Sequence, residues 1–484
     1  MNYRMIGRFM SRILMLEALF MVPPLGICLY DGDYRTGVAF MISIVLAFVI
    51  GGILWIIGKK AETRFQSREG LVCVGLSWIV LALIGCLPFF LSGEIPNYID
   101  ALFEIVSGFT TTGASILPEV ESHTRGMLYW RSFSHWLGGM GVLVFLLAVA
   151  RKGQKRQGFT MYILRAESPG PNVGKLVPKM KETARILYVM YIALTILNII
   201  FLLLGGMPLF DSLCTSFGTA GTGGFGIKND SIGSYSSYLQ NVCTVFMFLF
   251  GVNFSCYYLL LIKEIKSVFK DEELRLYVGI FLGSIALISW NIFGMYDTLG
   301  ETVRHAAFQV SSIMTTTGFA TTDFDMWPTF SKSILVCLMF CGACAGSTGG
   351  GIKVSRVLLL GKSLKRNIRQ MLQPRKVMVV RSNGQKVDEK ILANVNAYLA
   401  AYVIIIILSF LVVSLDGFSL TTSFTSVVAC FNNIGPGLDL VGPIGNYAMF
   451  GPLSKIVLIL DMLAGRLEIF PILILFTGRA WKKM

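Results

Sequence analysis

Thr315-Thr316-Thr317-Gly318 lies between an amphipathic run ending near Met314 and an irregular segment, Phe319 to Asp325. The tetrapeptide decides the reading of the chain because it recurs. Thr110-Thr111-Thr112-Gly113 repeats it, and Gly221-Thr222-Gly223-Gly224 and Asn432-Asn433-Ile434-Gly435 hold the same place in two further copies of a larger unit. One such tetrapeptide alone reads as an ordinary turn. Four of them, each set between two long apolar segments, read as short loops at membrane depth that ring an ion with oxygens.

The larger unit is an apolar run, a half-length helix, the loop, a polar stretch and a second apolar run. Unit one runs Leu71–Leu91, Tyr98–Phe109, the loop at Gly113 and Trp130–Val149. Unit two runs Ile186–Leu204, Leu209–Phe217, the loop at Gly224 and Leu239–Ile262. Unit three runs Leu276–Phe293, Thr302–Met314, the loop at Gly318 and Ser333–Leu360; unit four runs Ile391–Leu415, Ser419–Phe431, the loop at Gly435 and Leu453–Phe476. A dozen helical residues cover only about 18 Å, short of the roughly 30 Å hydrocarbon core. The short segments therefore read as re-entrant, with irregular backbone tolerated where it lines a watery cavity or is buried in protein.

Two further runs, Ile13–Leu29 and Val38–Ile57, precede the units, and no A-x-A-like cleavage site follows the first. The expected fold is an all-α integral membrane protein: two N-terminal spans plus four membrane–pore–membrane repeats with pseudo-fourfold order around a central pore. The expected divisions are 1–68, 69–150, 151–265, 266–362 and 363–484. Glu17, inside the first span, reads as paired or interfacial because the basic N-terminal end is close.

Composition agrees. Of 484 residues, 54% are hydrophobic and only 14% charged, against roughly 25% charged in soluble proteins. The net charge of +14 does not mark a nucleic-acid binder, because most of the 42 Lys and Arg fall in connections that ten spans place on one side. That side is the cytoplasmic one, with both termini there. Asp100, Glu119, Glu121, Asp323, Asp325 and Asp439 fall on the other, forming an acidic rim that concentrates cations. Cys341 and Cys344 form a C-x-x-C without a second pair and read as packing residues, and the three histidines are too scattered for a metal cluster. No catalytic triad, metal cluster or paired-carboxylate constellation points to an enzyme.

In the loops, glycine lets successive carbonyls point along a pore, because it reaches backbone regions other residues avoid. Threonine adds a hydroxyl oxygen, and Asn432 and Asn433 can brace a turn through their amides. The motifs S-G-F-T-T-T-G-A from Ser107, T-G-G-F from Thr222, T-T-T-G-F from Thr315 and N-N-I-G-P-G-L from Asn432, with A-G-S-T-G-G-G-I-K from Ala345 and A-G-R-L-E from Ala464, resemble the potassium transporters built from four membrane–pore–membrane repeats. Within them the chain is similar to the TrkH family over nearly its whole length, the two extra N-terminal spans included.

The resemblance implies K+ uptake across a bacterial inner membrane, with filter glycines Gly113, Gly224, Gly318 and Gly435. Around them it implies Thr111, Thr112, Thr222, Gly223, Thr316, Thr317, Asn433 and Ile434. Unit two is the loosest match: Gly221, Gly223 and Gly224 compete, and Gly224 is chosen because it precedes Phe225 as Gly318 precedes Phe319. Transport coupled to H+ or Na+ is the alternative, although the pore loops hold no carboxylate.

As one helix, Ser333–Leu360 would extend about 42 Å, too long for a bilayer. Gly342 to Gly351 holds five glycines, each costing roughly 1 kcal/mol in a helix relative to Ala. A flexible loop at Gly346, Ser347, Thr348, Gly349, Gly350 and Gly351 is one reading, and close packing through small residues is the other. The resemblance makes this loop the intramembrane gate, with Lys353 beside it. Arg466 lies within the last span, either paired locally with Glu468 or Asp461 or placed near the pore, as the resemblance implies. The basic connections Arg151–Arg185 and Arg356–Lys390 suit either anionic lipid or a docked regulator. The resemblance implies a TrkA-like nucleotide-binding subunit and a homodimer, with no nucleotide bound to this chain itself.

Overall fold

The computed structural model describes residues 2–59, 67–141 and 180–481. The 142–149 end of unit one's second run and most of the Arg151–Arg185 connection lie outside them. Six helices among the described residues are long and apolar enough to cross a bilayer: Tyr3–Asp31, Tyr34–Gly58, Glu69–Ser92, Glu182–Leu204, Glu272–Asn291 and Glu389–Asp416. They are the two N-terminal spans and the first span of each repeat.

The N-terminal spans form a hairpin. Gly32 turns the chain with φ 77, and the Asp33 side chain caps the second helix by accepting from the Thr36 N–H at 3.5 Å. Gly58 lets Arg8 approach, since a Cβ there would lie 2.6 Å from the Arg8 Cβ. The other face of Tyr34–Gly58 exposes Val38, Met41, Val45, Phe48, Val49 and Ile53, a stripe suited to lipid tails. Because the first helix starts at Tyr3 rather than near Ile13, Glu17 falls near mid-span. It is buried beside Gly85, and the expected pairing is not seen: among the described residues neither carboxylate oxygen has a hydrogen-bond partner.

The half-length helices are Tyr98–Phe109, Leu209–Gly221, Leu299–Met314 and Leu420–Phe431. Asn97, Thr298 and Ser419 cap three of them by accepting from backbone N–H groups, and Pro208 precedes the fourth.

Among the described residues no second span is one continuous helix, a break expected only in repeat three. In repeat one, Arg125–Gly139 stops and Gly141 takes φ 75. In repeat two, Ser237–Phe250 and Phe254–Leu261 meet at 89°. Thr329–Cys341 and Val354–Leu372 flank the glycine-rich break of repeat three. In repeat four, Pro452–Arg466 and Phe470–Leu475 are separated by Glu468 and Ile469, at φ 61 and 65. The sequence expectation of continuous runs over Leu239–Ile262 and Leu453–Phe476 is thereby corrected. Backbone groups freed at the repeat-two bend find partners in repeat three: Cys344 N–H donates to the Gly251 carbonyl at 3.0 Å and Phe254 N–H to Gly346 at 3.1 Å.

Each second span packs on the half-length helix of the following repeat. Arg125–Gly139 lies on Leu209–Gly221, Ser237–Phe250 on Leu299–Met314, Thr329–Cys341 on Leu420–Phe431, and Pro452–Arg466 returns to Tyr98–Phe109. The four repeats thus close a circle. Asn383-Gly384, both at positive φ, turn a two-strand hairpin between repeats three and four (Arg381–Ser382 with Gln385–Lys386). The chain ends meet, with the Tyr3 hydroxyl donating to the Trp481 carbonyl at 2.7 Å.

Candidate functional site

All four half-length helices end in one backbone device. The N–H groups of Thr112, Gly223, Thr317 and Ile434 donate five residues back, to Ser107, Gly218, Ser312 and Ala429, at 2.8–2.9 Å. The residue before each donor, Thr111, Thr222, Thr316 or Asn433, is left-handed, with φ 54 to 59. This is the helix terminus usually given to glycine. Threonine there costs about 1–2 kcal/mol, so three β-branched residues in that conformation mark a site where side-chain chemistry outweighs backbone comfort. Two residues on, Gly113, Gly224, Gly318 and Gly435 take φ 80, 78, 86 and 93. By backbone conformation Gly224 is the counterpart of Gly113, and Gly221 and Gly223 occupy the places of Thr110 and Thr112.

The loops then close into a ring. A Cβ on Gly113 would strike the carbonyl oxygen of Gly223, one on Gly224 that of Thr317, one on Gly318 that of Ile434, and one on Gly435 that of Thr112. Each glycine abuts the carbonyl preceding the next repeat's glycine, and the fourth returns to the first. The predicted residues of all four loops are therefore neighbours, although more than 300 positions separate Thr112 from Asn433.

Hydroxyls and amides lock the ring. The Thr110 and Thr112 hydroxyls pair at 2.8 Å, as do those of Thr315 and Thr317. Asn432 donates within its own helix to Val428 at 2.9 Å and accepts from the Tyr402 hydroxyl at 2.9 Å. Asn433 crosses between repeats, donating to the Thr112 hydroxyl at 3.0 Å and the Met462 carbonyl at 2.9 Å.

The segment from Gly342 to Lys353 lies against the ring on the side of the helix ends. Gly350 N–H donates to the Thr316 hydroxyl at 2.6 Å, and a Cβ on Gly350 would lie 2.5 Å from the Asn432 carbonyl oxygen. A Cβ on Gly349 would meet the Thr315 carbonyl oxygen at 2.8 Å. Thr348 donates its hydroxyl to the Phe250 carbonyl at 3.2 Å, and Ser347 donates to Cys344 at 2.6 Å. Gly346 and Gly351 take positive φ, and so does Lys353, at φ 79. Lys353 is buried, and its ammonium donates to the Gly349 carbonyl.

Arg466 ties this segment to repeat one. Nη1 donates to the Thr111 hydroxyl at 3.1 Å and the Thr348 carbonyl at 2.8 Å; Nη2 donates to the carbonyls of Gly138 and Gly139 at 2.5 and 2.6 Å. These contacts set Arg466 beside the ring, and Glu468 pairs with Arg356. The guanidinium of the last repeat thus joins the carbonyls at the end of Arg125–Gly139, of which Gly138 also accepts from Gly141 N–H at 3.1 Å.

Sequence reasoning missed Glu104 and Arg131. Both are buried, with Arg131 Nε on Glu104 Oε1 at 2.5 Å. Glu104 accepts from Ile116 N–H at 2.9 Å, and Arg131 donates to the Gly226 carbonyl at 2.9 Å. The pair braces the chain leaving the loops of repeats one and two. A glutamate in the middle of a mostly apolar half-length helix was the available signal. At the rim, Lys455 meets Asp100 at 2.6 Å and Lys332 meets Asp325 at 3.6 Å, so part of the acidic surface is neutralised.

A family model described as TrkH, cation transport protein, matches residues 36–483. The chain is 37% identical to the Trk system potassium uptake protein TrkH of Salmonella typhimurium, covering 100% of both chains. It is 35% identical to TrkG of Escherichia coli K12, covering 99% of each. The crystal structure of the potassium transporter TrkH from Vibrio parahaemolyticus matches with TM-score 0.89 at 31% identity, covering 100% of both chains. The chain belongs to the TrkH family of cation transport proteins.

Proposed function

We propose that this protein carries K+ inward across a bacterial inner membrane, through a selectivity filter made by the four loops. The observation that carries the reading is the closed ring, in which each glycine is seated on the next repeat's carbonyl oxygen. Backbone oxygens of Thr111, Thr112, Thr222, Gly223, Thr316, Thr317, Asn433 and Ile434, with those of the four glycines, replace the water around the ion. Because the loops touch one another, none can move without its neighbour, and the size of the ring is set by protein contacts. Potassium as the cargo is supported by the names of the relatives.

The segment Gly346–Gly351 acts as the gate. Arg466 and Lys353 place two cations on the inner side of the ring, where they oppose K+ until the segment moves. Its glycines lower the cost of that movement. Both termini lie in the cytoplasm, where a TrkA-like nucleotide-binding subunit docks and biases the gate, and the transporter works as a homodimer. The charge distribution and the meeting of the chain ends support this orientation.

In cells lacking K+ uptake, expression together with such a regulatory subunit restores growth at low K+. Absence of rescue, with the protein confirmed in the membrane, would remove K+ uptake as the function.

A further inference from the structure

Repeat two departs from the T-T-T-G pattern, and His135, on the second span of repeat one, accounts for both departures. A Cβ on Gly223 would run into the His135 ring, and one on Gly221 would run into the His135 carbonyl. At the places of Gly223 the other repeats carry Thr112, Thr317 and Ile434. In repeats one and three that threonine pairs with a second hydroxyl. In repeat two an imidazole from the neighbouring repeat fills the space instead.

The imidazole also holds backbone. It is fully buried, with Nδ1 at 2.8 Å from the Gly108 carbonyl and Nε2 accepting from Phe225 N–H at 3.2 Å. The proton therefore sits on Nδ1. Gly108 is the carbonyl that also accepts from Thr111 N–H, and Phe225 directly follows Gly224. One side chain thus joins the helix end of loop one to the exit of loop two. Phe225 packs against two polar side chains, with its ring centroid 4.2 Å from that of His135 and the Arg131 guanidinium 3.7 Å away.

We infer that His135 is a positioning residue for ion specificity, standing in for the missing threonine pair and fixing the second quarter of the ring. The inference rests on the proposal that the ring is the filter. Purified protein in liposomes gives the test, read as the K+/Na+ permeability ratio rather than total flux. His135→Ala lowers the ratio roughly fivefold to tenfold, about the factor one lost hydrogen bond carries. His135→Gln, which keeps one donor and one acceptor, retains it. Gly223→Thr alone also lowers the ratio, by collision with the ring. Combining it with His135→Ala raises the ratio above either single variant, because the threonine enters the space vacated. An unchanged ratio in His135→Ala, or a double variant no better than the worse single, overturns the inference. Gly318→Ser separates the two levels: if it lowers the ratio while the His135 series fails, only the role of His135 falls. If Gly318→Ser also leaves the ratio unchanged, the filter proposal falls and this inference with it.

Discussion

Replacing Arg466 by Gln should open the pathway, and the size of the effect follows from its bonds. Of the four hydrogen bonds from Arg466 named above, one holds the glycine-rich segment, through the Thr348 carbonyl at 2.8 Å; three anchor the guanidinium to repeat one. A charge-assisted bond of that kind contributes about 1.5–3 kcal/mol. At 1.4 kcal/mol per decade, its loss shifts the balance between seated and displaced segment by roughly tenfold to 150-fold. Gly350 N–H on the Thr316 hydroxyl remains as a second tether, so the segment is loosened rather than freed. Flux of 86Rb+ into liposomes, without a regulatory subunit, should rise at least about tenfold on that arithmetic. Arg466→Lys retains the charge without the fork and should give an intermediate flux. Flux within twofold of wild type in Arg466→Gln, in protein that elutes and melts as wild type does, would refute the reasoning.

Gly318→Ser places a side chain at φ 86 against the Ile434 carbonyl and should reduce K+ over Na+ selectivity; an unchanged permeability ratio would remove Gly318 from the filter. Deleting Gly346–Gly351 should raise conduction, whereas unchanged flux would reduce the segment to packing. Arg356→Met breaks the pair with Glu468 and the contact with the Tyr398 ring at 3.9 Å. It should lower the melting temperature, and adding Glu468→Met should recover part of the loss, which paired melting curves would check. Hydroxyl donation from Ser419 and Thr422 holds the Asp439 carboxyl below its usual value. Its contribution is therefore complete above the unfolded value of about 3.9 and is lost as pH falls through the lower folded one. Asp439→Asn should melt below wild type at pH 6, with the gap closing as the medium turns strongly acidic; a gap independent of pH would contradict this.

The repeats and the half-length helices were legible because their signals are local. Tyr98–Phe109 begins and ends where the sequence reading put it, with Asn97 as its cap, and glycine density announced the break after Cys341. Bends at Gly251–Asn253 and Leu467–Ile469 were not read, because partners distant in sequence stabilise them. Arg466 bonds to repeat one, Glu468 to Arg356, and Gly251 to Cys344. Two cues were present: Asn253 caps the following helix through Ser255 N–H at 2.9 Å, and Pro471 stands in the first turn of the last segment. The register of repeat two could not be fixed from three competing glycines. It depends on a histidine nearly ninety positions earlier, which only the folded chain brings alongside.

The most direct measurement is the reversal potential of the purified protein in liposomes under opposed K+ and Na+ gradients, repeated with a pH gradient imposed. A filter built from the four loops predicts a reversal potential near the K+ equilibrium value, indifferent to the pH gradient and displaced toward Na+ in Gly318→Ser. A wild-type reversal potential that follows Na+, or one that moves with the proton gradient, would contradict it.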